Sequence, residues 1–156
     1  MIKRFVIMKI GIYLDLSDLY HRVNRKFSRK LNYEAVIEKI KALYLGDHTF
    51  RAYGIQRGSE AAGFIACLER LSIETRFKRP EIVKCGEREV KRANWDCGIT
   101  VDILKDACDI VILGSGNNSL TDLARFRPLI LLSASPGHEI RNACTNFLEI
   151  TEDLLE

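Results

Sequence analysis

Three aspartates and one glycine-containing loop are the residues of this chain whose types and spacing can do chemistry. Asp15 ends an apolar run in Ile12-Tyr13-Leu14-Asp15-Leu16-Ser17-Asp18. Asp96 sits in Ala93-Asn94-Trp95-Asp96-Cys97-Gly98, and Asp102 follows it in the same segment. The stretch Gly114-Ser115-Gly116-Asn117-Asn118-Ser119 comes straight after the apolar run Asp109–Leu113. Its glycines let backbone approach a ligand, and a helix after it offers free N–H groups. It lacks the Lys-Ser/Thr pair of a nucleotide phosphate loop. Several carboxylates around one point cannot all ionise without a cation, and hard oxygen ligands select Mg²⁺ or Mn²⁺. Such an ion polarises a phosphodiester and activates water. The chemistry implied is hydrolysis of a nucleic-acid backbone. No Ser/His/Asp or Cys/His set competes, because His21, His48 and His138 are scattered and read as surface or structural.

These residues need elements to bring them together. Phe5–Asp15, Thr49–Ile55, Ser72–Phe77, Asp109–Leu113 and Leu129–Leu132 read as strands. Helices are expected from a Ser17 cap to about Phe27 and from an Asn32 cap through Ala35, Val36, Ile40, Leu43 and Tyr44. Further helices are expected from Gly58-Ser59 to Leu71, over Asp96–Cys108, Ser119–Phe126 and Gly137–Asn146. Glu81–Lys91 reads as a hairpin around Gly86, and the acidic C-terminus as a last strand or helical turn. Strands alternate with helices and are apolar throughout, the pattern of a parallel sheet covered on both faces. The expectation is one α/β domain over residues 1–156. Its architecture is a three-layer sandwich on a central, mainly parallel sheet of about five strands. Ligands in such sheets bind beyond the carboxyl ends of the strands, near a switch in strand order.

That rule ranks the aspartates. Asp15 closes the first strand, at the functional edge. Ile99, Ile103 and Ala107 form the apolar stripe of the helix that Asp96 begins, and Asp96 falls on that stripe. The helix runs back against the strands, so its start lies near Asp15. Asp102 lies about 9 Å further down the axis and ranks below Asp96. A carboxylate at Asp15 or Asp96 also suits a helix cap, and Asp102 also suits a hydrogen-bonding role; these alternatives stay open.

Composition narrows the class. At 47% apolar and 29% charged residues the chain reads as an ordinary globular protein, which excludes a disordered tail or a collagen-like repeat. Apolar runs such as Phe5–Met8 and Leu129–Leu132 fall far short of the about 20 residues of a membrane span. Met1–Arg4 is basic, but Lys9 interrupts the apolar stretch, so no signal peptide is expected. Met8 offers an alternative start. Five cysteines, at 67, 85, 97, 108 and 144, are odd in number and form no C-x-x-C pair. They point to a reducing, cytoplasmic compartment. Net charge is only +3, but His21, Arg22, Arg25, Lys26, Arg29 and Lys30 form one basic cluster. A second runs from Arg76 through Lys91 and Arg92. Basic clusters flanking one site suit a polyanion.

At these residues the chain resembles the NYN branch of the PIN-like nucleases, the group containing the LabA-like proteins. Gly11-Ile12-Tyr13-Leu14-Asp15-Leu16-Ser17-Asp18-Leu19-Tyr20 is similar to the family's opening strand, which ends in Asp, two residues, then Asn-Leu-Tyr. Asn94–Leu104 resembles its Gly-Val-Asp helix with a second Asp six residues on, and Val111–Leu120 its strand ending in Ser-Gly-Asp-x-Asp-Phe. Glu139–Leu148 is similar to its closing helix and strand. The resemblance implies a PIN-like fold and a Mg²⁺- or Mn²⁺-dependent ribonuclease. It implies catalytic roles for Asp15, Asp96 and Asp102, with metal held by Asp15, Asp96 and Asn117. RNA would be held by Asp18, Ser115, Ser119, Arg22, Arg25, Lys91 and Arg92, with Tyr20, Tyr53 or Trp95 stacking on bases. The departures are Asn117 and Ser119 where the family has Asp, Leu120 where it has Phe, and Asp18 where it has Asn. Two negative charges are lost, Asp18 restores one, and Asp122 is a further substitute. The expected centre binds metal more weakly than a typical member. The alternative is a domain that keeps the fold and binds RNA or protein without catalysis. A homodimer is the base-rate oligomer.

Overall fold

The computed structural model describes residues 6–56 and 58–156. Its strands are β1 (Lys9–Asp15), β2 (Asp47–Ile55), β3 (Ile73–Lys78), β4 (Glu81–Cys85), β5 (Arg88–Arg92), β6 (Ile110–Gly114), β7 (Leu129–Ser133) and β8 (Asn146–Glu149). Six of them form one sheet in the order β3-β2-β1-β6-β7-β8, every neighbouring pair parallel. β4 and β5 form a separate antiparallel hairpin, which turns at Gly86 with φ 65°, a left-handed conformation that glycine adopts without penalty. The sheet therefore has six strands where about five were expected. The sixth is β8, drawn in from the acidic tail because Leu148 buries beside Leu132 and Ile150. The part of the expected first strand at Phe5 lies outside the described residues.

Apolar side chains go both ways from the sheet. Ile10, Ile12 and Leu14 of β1 join a core with Leu19 and Val23 of helix α1 (Leu16–Phe27) and Val36 and Ile40 of α2 (Tyr33–Leu43). Leu68 of α3 (Ala62–Arg70) completes that side. Tyr13 turns to the other face, with Tyr53, Leu113 and Leu131. There it meets Ile99 and Ile103 of α4 (Asp96–Lys105) and Ile140 of α5 (His138–Ala143). The three-layer sandwich is thus the arrangement that buries both faces of a wholly apolar sheet.

Some boundaries differ from expectation. The cap of α1 is Asp15, which accepts a hydrogen bond from the Asp18 N–H at 3.2 Å, so Ser17 is already inside the helix. Asn32 caps α2 as expected, accepting from the Ala35 N–H. α4 stops at Lys105 rather than Cys108, because Asp106 turns extended and its carboxylate accepts the Tyr13 hydroxyl at 2.7 Å. The short helix expected over Ser119–Phe126 is a 3-10 helix over Asn118–Arg125, capped by Asn117.

β1 is the pivot of this topology. The chain moves from it to β2 on one side and returns to β6 on the other. Connections leaving in opposite directions open a crevice beyond the carboxyl ends of β1 and β6, and Asp15 and Gly114 are their last residues. Removing packing from these central strands should be expensive. Ile112 of β6 is fully buried. Ile112→Ala is expected to lose about 2–5 kcal/mol in urea unfolding and Ile112→Val about 1 kcal/mol. An alanine variant within about 0.5 kcal/mol of the wild type would contradict this packing.

Candidate active site

Strand alternation fixes which carboxylates meet in the crevice. Asp15 shares the α4 side of β1 with Tyr13, and α4 runs back against the sheet, so its first residue, Asp96, starts above Asp15. The cleft between them, about 220 Å³, is lined by Asp15, Asp18, Arg22, Asn94, Asp96 and Asn117. Ser17, His21 and Arg25 also reach its wall.

Asp15 is buried, and loss of water pushes its carboxyl up from an ordinary 3.8 to about 6. Hydrogen bonds from the Asp18 and Ser17 backbone oppose that rise, while the negative charges of Asp18 and Asp96 add to it. Asp96 is held on one oxygen only. Its Oδ2 accepts the Asn117 side-chain amide at 3.1 Å and the Ser119 hydroxyl at 2.5 Å. Its Oδ1 is shielded from solvent and accepts no hydrogen bond. A buried carboxylate oxygen without a donor is costly.

Asp18 is differently placed. Both of its oxygens accept from Arg22 Nε at 2.9 Å, and Oδ2 also accepts the Gly116 N–H at 2.8 Å. Arg22 is anchored in turn by the Ser135 carbonyl at 2.6 Å. A Cβ on Gly116 would meet Arg22 Nε, Pro136 and Ser133 at 2.8 Å, so only glycine lets the β6 loop pass this close. Asn117 turns its amide nitrogen to Asp96, and its carbonyl accepts the Ser119 N–H at 3.2 Å. Ser115 is fully buried and its hydroxyl accepts the Asn117 N–H; it shapes the loop rather than facing the cleft.

Asp102 belongs to another network. It accepts the Tyr53 hydroxyl at 2.8 Å and pairs with Arg76 at 2.9 Å, with Arg51 at 3.5 Å. Burial and the Asp102 carboxylate push the Tyr53 phenol above its ordinary range, so it stays a donor. Tyr53 is fully buried and cannot stack on a base. Trp95 donates from Nε1 to the Gly54 carbonyl at 2.8 Å, and Lys78 Nζ lies 4.3 Å from its ring centre. Tyr20 is exposed beside the cleft. Arg92 ends β5, next to a shallow cavity that shares Ala93 and Asn94 with the cleft. The side chain of Lys91 lies outside the described residues. His21, read as a surface residue, is brought to the cleft wall; its signal was a position one helical turn after Asp18.

The carboxylates bear on the divalent ion that the sequence implies. Among the described residues no group of three or more His, Cys, Asp or Glu side chains is arranged to cage a metal. Two carboxylates, one with a free buried oxygen, fit a magnesium-like ion that keeps most of its waters and takes further oxygens from a phosphate. Asn117 is bound elsewhere and is not poised as a ligand.

Comparisons with known proteins agree with this architecture. The NYN domain family matches the chain over residues 9–151. A solved structure from Vibrio parahaemolyticus RIMD 2210633, described as a protein of unknown function, superposes with a TM-score of 0.85 at 20% sequence identity. The superposition covers 99% of this chain and 100% of that one. At that identity the likeness concerns the fold alone. No curated protein matches the chain.

The raised Asp15 carboxyl has a measurable consequence. Between about pH 4 and pH 6 the folded chain holds a proton that the unfolded chain has released, so stability falls as pH rises through that window. Asp15→Asn keeps a side-chain oxygen for the cap and removes the charge. Urea unfolding near pH 7 is expected to find this variant more stable by roughly 2 kcal/mol. Below about pH 4 the gap should close. A variant less stable than wild type at both pH values would show that Asp15 is not desolvated.

Proposed function

The chain belongs to the NYN domain family, and on that premise we propose that it hydrolyses RNA phosphodiester bonds with Mg²⁺ or Mn²⁺ held between Asp15 and Asp96. One observation carries this reading: Asp96, whose Oδ1 is buried without a donor, and the desolvated Asp15 line the same cleft. When bound, a divalent ion there polarises the phosphodiester and activates a water molecule.

The chain's own residues do the rest. Asn117 and Ser119 clamp Oδ2 of Asp96 and leave Oδ1 without a partner, as outer partners of metal ligands commonly fix one oxygen. Asp15, desolvated in the same cleft, would be the second residue to hold such an ion. Arg25 at the cleft wall and Arg92 at the end of β5 lie on either side of the carboxylates and hold the phosphates of the strand, with Lys91 as a further candidate. Arg22 neutralises Asp18, so this third carboxylate does not repel the incoming backbone. Asp102 acts at a distance: its pairs with Tyr53 and Arg76 fix α4, and hence Asp96, against β2 and β3. Five free cysteines support a reducing compartment such as the cytoplasm. No helix among the described residues is long and apolar enough to cross a membrane.

A second reading rests on the same cleft. Asp18 is already paired with Arg22, and Asn117 and Ser119 bring no charge. On that reading the domain binds RNA without cutting it.

Cleavage of single-stranded RNA separates the two. Wild-type protein is expected to cut only with Mg²⁺ or Mn²⁺ and to stop on addition of EDTA. Asp15→Asn and Asp96→Ala should each lower the rate by at least about 100-fold, the scale of losing a group that balances transition-state charge. Calorimetry should find weak, saturable Mn²⁺ binding that both variants abolish. RNA binding with no metal-dependent cleavage would establish the second reading. Full activity in Asp15→Asn would end the first.

A further inference from the structure

A second cavity, about 380 Å³, opens beside the carboxylate cleft and is walled by Tyr20, Phe64, Phe77 and Ile55. Ser17, His21 and Ile55 line both cavities, so the two adjoin. We propose that this cavity takes one unpaired nucleobase of the RNA strand whose phosphodiester lies at Asp15 and Asp96. The proposal rests on the hydrolytic reading above and adds the element that selects single-stranded substrate.

The walls suit a flat aromatic guest. Tyr20 and Phe64 are 52% and 42% exposed, large apolar rings that the fold leaves uncovered at one place. Phe64 is steadied by Tyr33, ring centres 5.7 Å apart. Phe77 fills the space that a side chain on Gly54 would take, so the back wall is rigid. Tyr20 and His21 meet edge to face at 5.4 Å where the cavity borders the cleft. The polar groups, Ser17 and His21, stand where the cavity meets the cleft and can pair with a base edge or ribose. Protein sites for small ligands combine an apolar slot of roughly 300 Å³ or more with a few polar groups at its mouth.

The occupant follows from the adjacency. A guest that spans both would set a phosphate in the cleft beside Arg25 and an aromatic plane in the cavity, which is what a nucleotide does. The base must be splayed out, because bases paired within an A-form helix cannot reach such a slot. Stacking on a ring is tolerant of base identity, so selection is for unpaired rather than for one letter.

The test uses the whole chain and a short single-stranded RNA with phosphorothioate linkages to resist hydrolysis. 2-Aminopurine is placed at each position in turn. One position should be quenched on binding, as stacking requires, and an abasic residue there should weaken binding about tenfold. Tyr20→Ala and Phe64→Ala should each cause a similar loss with the intact strand and little further loss with the abasic one; Tyr20→Phe should bind as the wild type. Both side chains are exposed, so circular dichroism should match that of the wild type. Strands that bind equally with and without the base, or alanine variants that bind normally while Arg25→Ala does not, would overturn the base cavity and leave the phosphodiester reading standing. A wild-type chain that binds no RNA would overturn both.

Discussion

β1 is paired on both sides over most of its length, to β2 from Lys9 to Asp15 and to β6 from Ile10 to Leu14. The chain leaves it toward one neighbour and comes back beside it as the other, so no connection covers its carboxyl end. Everything distinctive about the molecule depends on that gap. Asp15 is the residue that falls there. It is the last of a buried strand and the cap of the next helix at once. A carboxylate cannot meet both demands cheaply: the strand strips it of water, and the helix start offers backbone donors in partial return. The result is a carboxyl group that ionises reluctantly until something positive arrives.

The aspartates divide into two populations by what neutralises them. Asp102 and Asp18 each have an arginine at about hydrogen-bond distance. Their charges are balanced inside the protein, and they act as struts, one tying α4 to the sheet and the other tying α1 to the β6 loop through Gly116. Asp15 and Asp96 have no cation of their own among the described residues. Asp96 is fixed by neutral donors that use one oxygen and leave the other bare. Asn117 and Ser119 thus serve Asp96 as neutral donors that fix one of its two oxygens.

Much of this arrangement was legible in the residues. Apolar runs separated by helical stretches gave the parallel sheet, and the position of Asp15 at the end of the first run placed it at the sheet's carboxyl edge. The structure sets Asp96, at the start of α4, in the wall of the same cleft. What could not be read was pairing at a distance. Nothing near Asp102 announces that Tyr53, on β2, and Arg76, on β3, will converge on it. Tyr53 reads as an aromatic available for stacking until the sheet buries it. β8 was hard to see for a related reason: Asn146–Glu149 has a single deeply buried residue, Leu148, and becomes a strand only because β7 offers a free edge. Asp15 capping α1 two residues ahead of Ser17 is a local matter that depends on backbone direction at the strand's end, which residue types alone do not specify.

Trp95 sits one residue before Asp96, and it is the only tryptophan in the chain. Its ring packs on Gly98, its Nε1 holds the Gly54 carbonyl and Lys78 covers one face. The indole is thus rigid and partly shielded, yet it forms part of the cleft wall. Tryptophan emission from this protein comes from a single indole, so its intensity and wavelength report on the carboxylate cleft rather than on the molecule's average. The fold has placed an optical reporter within the very crevice where a ligand would settle, and occupancy can be followed in unlabelled protein.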